Sequence, residues 1–394
     1  MNAILYLLKW HLISVYFFIK IFTKQKKQVL FLSRQFNNVS LNYQRVIDEL
    51  EKNDIKYKCI CKKVDSSVND SVRTQGNYSS PLIFIKKVLK SFGGSIKYYF
   101  SLYRQMCAIA SSKVVIVDGY NLPVSLLKHK KGTKVIQMWH ALGAIKKFGF
   151  QAVGSKDGVS PNVARILKMH ANYDYILSGS EGMNEFFSEA FNTPIEKVLA
   201  IGTPTVDSMR EIDENKNKLI FDRYPSMKNK INILYAPTFR NDRRDNTNEL
   251  IKYIDFDKCN LIVSRHPKVD NTVDNDKVIC LNRKEFTTAD MIKVVDYVIT
   301  DYSAAMIDSA IANKRILLYL YDYDQYNKDN GVNIDLLKDY PKLSYKDAKD
   351  VINVIEKDNY DMNEYKKFQK KYTPSIKGKS SIEILNLIKR CLDE

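Results

Sequence analysis

The chain has no cysteine framework. Its six cysteines show no regular spacing, and although Cys59 and Cys61 form a C-x-C pair, no second pair or nearby histidine completes a zinc site. This excludes a disulfide-stapled secreted domain, and we expect reduced thiols in a cytoplasmic protein. The chain also lacks the aromatic RNA-binding pattern, the Cys/His finger and the basic zipper, so we expect no nucleic-acid partner.

Motifs for metals and nucleotides are equally scarce. The D-x-D tripeptides at 255–257 and 322–324 arise easily by chance among 45 acidic residues. The Gly-Lys-Ser run at 378–380 lacks both the first glycine and the preceding strand of a P-loop. We therefore expect no metal site and no cofactor.

Positive charge is abundant. Lys and Arg number 62 against 45 Asp and Glu, a formal net charge of +17. Such an excess indicates an anionic partner, either acidic lipid or a phosphate-rich substrate. The alternative is that the lysines are ordinary solvent-exposed residues with no partner.

The first 27 residues form a separate segment. Residues 1–23 are apolar and aromatic, with Lys9 and Lys20 inside the run and three further lysines directly after it. Neither a basic leader nor a cleavage site of small residues is present, so a cleaved signal peptide is not expected. We interpret residues 1–27 as an amphipathic helix lying on an anionic membrane surface, with a buried helix or a true span as alternatives. The basic, aromatic segment 81–110 is either a second membrane-facing surface or a solvated helical hairpin.

The remaining chain alternates short apolar runs with longer amphipathic stretches, which is typical of parallel sheets covered by helices. We predict strands at 29–33, 57–61, 114–117, 134–138, 175–178, 198–201, 232–235, 261–264, 277–280, 297–300 and 316–320. The charged stretch 210–230 interrupts the alternation. The predicted fold class is therefore α/β, with two Rossmann-like domains, 28–215 and 216–394, that face a cleft as in GT-B transferases.

In open parallel sheets, ligands bind beyond the carboxyl ends of the strands. In the first half, the strand at 134–138 is followed by a histidine, two glycines and two lysines. The candidates here are Trp139, His140, Gly143, Lys146 and Lys147. Taken alone, His140 is as easily a residue that caps a helix or bonds a backbone carbonyl.

Three strand ends of the second half carry groups suited to a phosphate, because Arg binds two oxygens at once and small residues at a helix start expose N–H groups. The candidates are Thr238, Arg240, Arg265, His266, Asp301, Ser303 and Asp308. We expect Ser303 to cap the following helix.

In order, these segments resemble the CDP-glycerol glycerophosphotransferase family of teichoic acid synthesis. The matching elements are 139–149 (WHALGAIKKFG), 235–240 (YAPTFR), 264–267 (SRHP) and 300–308 (TDYSAAMID), and the resemblance covers roughly 110–385. Ala141 stands where the family pattern has Gly, and Ala304 where it has a second Ser. Neither departure touches a histidine.

The resemblance implies transfer of a polyol phosphate from CDP-glycerol or CDP-ribitol to an undecaprenyl-linked saccharide acceptor, with release of CMP, at the cytoplasmic face of the membrane. It implies that His140 is the general base and that His266 and Arg265 steady the donor phosphates or CMP. Thr238, Arg240, Asp301, Ser303 and Asp308 would complete the donor site. The alternatives are a GT-B glycosyltransferase that uses a nucleotide sugar, and a non-enzymatic protein that binds anionic polymer. A homo-oligomer is left open.

Overall fold

The structure is a computed structural model that describes residues 2–63, 99–155, 158–240, 245–266, 269 and 271–394. Within these residues the chain forms two sheets of six parallel strands each, flanked by helices. The α/β class predicted from the sequence is confirmed. Pro267, which ends one of the motifs, and residues 81–98 of the basic segment lie outside the described residues.

The first sheet contains β1 (Lys26–Ser33), β2 (Tyr57–Cys61), β3 (Ser112–Val117), β4 (Lys134–Gln137), β5 (Tyr175–Leu177) and β6 (Val198–Leu199). Their order is β2-β1-β3-β4-β5-β6. The strands are rich in Val, Ile and Leu because both faces of a parallel sheet are covered by helices. The order reverses between β1 and β3, so the carboxyl ends of these two strands flank a crevice.

The second sheet contains β7 (Ile231–Ala236), β8 (Cys259–Val263), β9 (Ile279–Cys280), β10 (Tyr297–Thr300), β11 (Arg315–Tyr319) and β12 (Ser344–Tyr345). Their order is β12-β11-β10-β7-β8-β9, which reverses between β7 and β10. Every strand predicted from the sequence is confirmed to within three residues at each end. The structure also contains β12, a strand that was not predicted from the sequence.

The helices are α1 (Asn2–Phe22), α2 (Leu41–Glu51), α3 (residues 99–111), α4 (Leu122–Leu126), α5 (Pro161–Ile166), α6 (Asn184–Phe191), α7 (Pro204–Arg210), α8 (Glu214–Arg223), α9 (Thr247–Ile251), α10 (Thr288–Val294), α11 (Ala305–Ile311), α12 (Tyr323–Asn330), α13 (Leu336–Asp339), α14 (Ala348–Glu356), α15 (Met362–Tyr372) and α16 (Ser380–Asp393). Helix α5 ends at Ile166. Lys168 and His170 adopt positive φ of 48° and 57°, which ends the helical path.

The last helix, α16, returns to the first sheet. Its residues Ile384 and Ile388 are fully buried among side chains of β1 and β3. The Asp207 carboxylate of α7 accepts the backbone N–H groups of Ser380 at 2.6 Å and Ser381 at 2.9 Å. A carboxylate at a helix start satisfies unpaired donors and complements the helix dipole. The Gly-Lys-Ser run is therefore the beginning of a helix capped by a side chain from another helix.

The two sheets are joined by a short seam between residues 143–147 and 331–333. Lys146 and Val332 form an antiparallel bridge, and the Asn333 side chain donates to the Ala144 carbonyl at 2.8 Å. Gly143 packs directly against α11: a Cβ built on it would lie 2.8 Å from Cγ1 of Ile307. The loop after β4 is thus held against the second sheet by backbone pairing and by close packing.

One side of helix α1 packs against the rest of the protein. Leu12 and Tyr16 are each 1% exposed, and the Lys20 ammonium donates to the Lys128 carbonyl at 2.8 Å. The opposite side presents large apolar residues to solvent, including Trp10 at 62% and Phe22 at 84% exposure. By length and composition alone, the stretch from Leu5 to Phe22 is also sufficient to cross a membrane.

Candidate functional site

Site residues lie at or beside the places where each sheet reverses its strand order, and those predicted in the first half follow β4, the neighbour of β3. Asp118 directly follows β3, whose neighbour β1 ends at Ser33. In the second sheet, Thr238 lies on the loop after β7 and Asp301 directly follows the neighbouring β10. Ligands of open parallel sheets bind at such reversal points. Both sheets therefore offer a crevice, and the seam brings the loop after β4 to the second one.

His140 is held by a backbone carbonyl. Its Nδ1 lies 3.3 Å from the carbonyl oxygen of Asp118. Because a carbonyl can only accept, a hydrogen bond forms here when Nδ1 carries the proton, and in that tautomer of the neutral ring Nε2 keeps its lone pair. The His140 side chain is exposed to solvent, yet desolvation by nearby protein atoms lowers its pKa; the bond to Asp118 opposes this, and the charge of Lys146 lowers the pKa further. A neutral imidazole with an unprotonated Nε2 is the form that a general base requires.

Trp139 supports the His140 ring. The two ring centroids are 4.3 Å apart, and the indole stacks on Phe148 at 4.9 Å on a nearly parallel plane. Phe191 and His170 pack edge-on against the same indole. Trp139, predicted to line the substrate cleft, is thus part of an aromatic cluster behind the histidine, because its neighbours are aromatic on several sides.

Lys146 connects the two halves of the site electrostatically. Although the Lys146 side chain is exposed, desolvation by nearby protein atoms lowers its pKa; the Asp301 carboxylate opposes the shift, and the Arg240 guanidinium adds to it. Lys146 also lowers the pKa of His140. The ammonium group is therefore close enough to interact electrostatically with residues of both sheets. Lys147 follows it on the seam, where its backbone N–H donates to the Gly331 carbonyl at 3.2 Å.

Asp301 fixes the loop after β7. It is 1% exposed, and its carboxylate accepts the Thr238 backbone N–H at 2.9 Å and the Arg240 Nη1 at 2.8 Å. The Thr238 hydroxyl oxygen is buried and has no hydrogen-bond partner among the described residues. A buried hydroxyl without a partner is uncommon in folded proteins. The loop thus presents one polar group whose bonding capacity is unused.

Arg240 is engaged by carboxylates. Its Nε and Nη2 donate to the two oxygens of Asp322 at 2.6 and 2.9 Å, in addition to the bond to Asp301. Its side chain is 9% exposed and lies over the rings of Tyr321 and Tyr326 at 4.8 and 5.7 Å. Burial lowers the pKa of Arg240, yet its hydrogen bonds to Asp322 and the charge of Asp301 raise it above the ordinary value. Most of its donors are therefore committed within the protein.

Arg265 is arranged in the same way. Its Nε donates to Asp245 at 2.5 Å, and its Nη1 donates to the Thr272 carbonyl. Burial opposes ionisation of Asp245, but the bonds from Arg265 and Thr247 hold its pKa below the ordinary value. His266, the next residue, is exposed, and its ring centroid lies 5.2 Å from that of Phe239. The arginine therefore anchors the loop that carries the histidine.

The turn after β10 leads into α11. Helix α11 has Ala304 at its N-cap position, and Ser303, one residue earlier, accepts the Ala305 backbone N–H with its hydroxyl at 3.2 Å. This bond agrees with the predicted capping role of Ser303, because Ala304 already has helical dihedral angles and the Ser303 hydroxyl accepts an N–H group of the first turn. Asp308 lies one turn into the helix, where burial raises its pKa to about 7.

The structure brings together around Lys146 the loop after β4, which carries His140, and the network of Asp301 and Arg240. Two participating residues were missed by sequence reasoning. Asp118 follows a buried strand without any neighbouring motif, and Asp322 was set aside as part of a chance D-x-D tripeptide. The position of Asp118 at a strand end was the only available signal.

The chain matches the family described as CDP-Glycerol:Poly(glycerophosphate) glycerophosphotransferase over residues 14–390. It is 29% identical to the teichoic acid glycerol-phosphate primase of Bacillus subtilis (strain 168), with 99% of this chain and 98% of that protein covered. It is 27% identical to the teichoic acid ribitol-phosphate primase of Bacillus spizizenii, with 78% of this chain and 82% of that protein covered.

Solved structures show the fold. The wall teichoic acid polymerase TagF, in a crystal soaked with CDPG, is similar with a TM-score of 0.71 at 20% identity, covering 98% of this chain and 94% of that one. The Staphylococcus aureus MnaA–UDP structure is similar with a TM-score of 0.54 at 14% identity, covering 93% and 97%. The family match extends over nearly the whole chain and includes every candidate residue of the site. The chain therefore belongs to the CDP-glycerol:poly(glycerophosphate) glycerophosphotransferase family.

Proposed function

We propose that this enzyme transfers glycerol phosphate or ribitol phosphate from a CDP-polyol to a lipid-linked teichoic acid acceptor and releases CMP. The observation that carries the proposal is the orientation of His140, whose Nδ1 lies 3.3 Å from the Asp118 carbonyl oxygen and so leaves Nε2 as the ring nitrogen that can accept a proton. Membership of the family supplies the reaction class, and the relatives with matching length are primases for glycerol phosphate and ribitol phosphate.

In this reaction an acceptor hydroxyl attacks the β-phosphorus of the CDP-polyol. The new P–O bond forms as the bond to the α-phosphate oxygen breaks, and CMP leaves with that electron pair. The hydroxyl proton passes to Nε2 of His140, whose lowered pKa keeps the imidazole neutral near pH 7. Phosphoryl transfer depends mainly on positioning and on charge stabilisation, which cations near the phosphates provide.

For the donor site, we propose direct contacts from Lys146, Lys147, His266, Ser303 and the Thr238 hydroxyl. Lys146 has the required charge beside Asp301, and the Thr238 hydroxyl has an unused bonding capacity. Arg240, Arg265 and Asp301 would act from behind the site, because their charged groups already bond one another or Asp322 and Asp245. Asp308 and Gly143 would shape the cleft through helix α11 and its packing.

We also propose that the chain is organised as two Rossmann-like units facing a cleft, at 28–215 and 216–394. The reversal of strand order in each sheet supports this division. Helix α16 is the exception within the second range, because its apolar face packs on the first sheet. The membrane-associating segment 1–27 precedes both units.

For localisation, we propose that the enzyme lies on the cytoplasmic face of the membrane with the outer side of α1 in the lipid interface. The buried Leu12 and Tyr16 tie the helix to the protein, which favours a helix lying on the membrane over one that crosses it. Exposed aromatic residues with adjacent lysines are suited to the headgroup region of anionic lipids.

The test is a CMP-release assay with a lipid-linked disaccharide acceptor, in which CDP-glycerol, CDP-ribitol and UDP-N-acetylglucosamine are supplied separately and the products are analysed by mass spectrometry. We expect CMP release and an added polyol phosphate with a CDP-polyol, and loss of both in His140→Ala. His11→Ala, which changes an exposed histidine on α1, serves as the control in detergent. Transfer of a sugar from the UDP donor, or full activity of His140→Ala, would contradict the proposal.

A further inference from the structure

Behind His140 lies a buried polar chain that the reaction itself does not use. The Ser33 hydroxyl at the end of β1 donates to the Asp118 carboxylate at 2.6 Å, and the Asp118 carbonyl faces Nδ1 of His140. Ser33 and Asp118 are 3% and 5% exposed, so both side chains are shielded from solvent. The chain crosses the point where the first sheet reverses its strand order.

The Asp118 carboxylate is surrounded by donors. Besides the Ser33 hydroxyl, the backbone N–H groups of Arg34 and of Asp118 itself favour the ionised form and lower its pKa. The Ser33 oxygen in turn accepts the N–H groups of Gln35 and Phe36 at 3.2 and 3.4 Å. Burial raises the pKa of Asp118 to about 6, so the group is an acceptor-only carboxylate at neutral pH. Such a network fixes the backbone of residue 118 in one orientation.

We propose that Ser33 and Asp118 are positioning residues that set the tautomer of His140. The carboxylate holds the turn after β3, the turn directs its carbonyl at Nδ1, and the carbonyl requires a proton there. Nε2 is consequently unprotonated and directed away from this wall, where an acceptor hydroxyl can reach it. After proton transfer, the same carbonyl accepts a bond from the imidazolium and stabilises it. The inference rests on the proposed role of His140 as base.

Other groups close to His140 act differently. Lys146 lowers the pKa of the ring by its charge, and Trp139 contacts its face, but neither bonds a ring nitrogen. Within the described residues, the Asp118 carbonyl is the hydrogen-bond partner recorded for the ring. Tautomer control therefore falls to the turn after β3.

The test compares Ser33→Ala and Asp118→Asn with Ser344→Ala in the CMP-release assay, using the full-length enzyme. Ser344 is also buried, at 5% exposed, and its hydroxyl donates to the Leu336 carbonyl at 2.9 Å, so the control loses a comparable bond far from His140. We expect kcat to fall roughly ten-fold or more in both test variants. KM for CDP-glycerol should stay within about two-fold, and the acidic limb of the kcat profile should move to lower pH because the bond that raises the His140 pKa is weakened.

A second measurement detects the tautomer directly. Selective ¹⁵N labelling of the five histidines, with His140→Gln for assignment, should show His140 protonated at Nδ1 in the wild type. In Ser33→Ala and Asp118→Asn we expect the Nε2-protonated form to appear, while Ser344→Ala keeps the wild-type pattern. An unchanged tautomer in both variants, or kcat within two-fold of wild type, would overturn the inference. If the wild type releases no CMP from any CDP-polyol, the proposed function fails instead, and the NMR result still decides the role of Asp118.

Discussion

Arg240 and Asp322 form a two-pronged ion pair between residues that are 82 positions apart in the sequence, with N–O distances of 2.6 and 2.9 Å. Asp301 binds the same guanidinium from the end of the neighbouring strand. The pair therefore ties the loops after β7, β10 and β11 to one another. These are the loops to which we assign the proposed donor site.

Arg240→Ala should strongly destabilise the protein, because it leaves Asp301 buried without its cationic partner. Removing one partner of a buried pair costs about 3–5 kcal/mol. Urea unfolding should report this loss, and Arg223→Ala should change the free energy of unfolding by less than about 1 kcal/mol. Arg223 pairs with Glu285 at 3.2 Å, but both side chains are about half exposed. Equal effects of the two substitutions would show that the buried network contributes no more than a surface pair.

Gly143→Ala should disturb the contact between the loop after β4 and α11. The added methyl group would lie 2.8 Å from Cγ1 of Ile307, so one of the two segments must shift. Overpacking of this kind costs about 1–3 kcal/mol, and the accompanying displacement of Lys146 should lower kcat. Adding Ile307→Ala should recover part of the lost activity, although it creates a small cavity. If the loss of activity in the double variant equals the sum of the losses in the two single variants, direct contact between residues 143 and 307 is not the cause.

Asp308→Asn should alter how stability depends on pH. Burial raises the pKa of Asp308 to about 7 in the folded protein, above the ordinary value of 3.8. The folded state then binds more protons than the unfolded state between these values, so this group makes the wild type less stable as pH rises from about 4 to 7. The free energy of unfolding should be measured by denaturation at pH 5 and pH 8 for both proteins. The value for Asp308→Asn minus the value for wild type should be larger at pH 8 than at pH 5. A pH-independent difference would mean that Asp308 titrates normally.

Replacing exposed apolar residues on α1 should weaken membrane binding without unfolding the protein. Trp10→Ser combined with Phe18→Ser changes side chains that are 62% and 59% exposed and leaves the buried Leu12 and Tyr16 intact. Cosedimentation with phosphatidylglycerol vesicles should fall about ten-fold or more, since each side chain loses apolar contact with lipid. The control, Ile212→Ser with Leu219→Ser, alters residues that are 81% and 61% exposed elsewhere. Equal binding by both double variants would contradict the proposed role of α1.

The sheets were predictable because parallel strands covered on both faces read as continuous apolar runs. Strand β12 was missed since two residues at a sheet edge carry no such run. The strand-end residues predicted in the second half follow β7, β8 and β10, which are neighbours in one sheet. What the sequence could not provide was their partners: Arg240 and Arg265 looked like phosphate ligands, but Asp322 and Asp245 engage them in the folded chain. Pairing of this kind depends on tertiary structure, and local patterns do not contain it.

The return of α16 to the first sheet has a consequence for biosynthesis. The sheet that begins at Lys26 is covered by a helix ending at Asp393, and Lys27 and Asp393 form an ion pair at 3.4 Å. A ribosome delivers Asp207, which caps that helix, 173 residues before it delivers Ser380. Val29 and Phe31 of the first sheet therefore lack part of their apolar cover until the ribosome has synthesised residues 380–393.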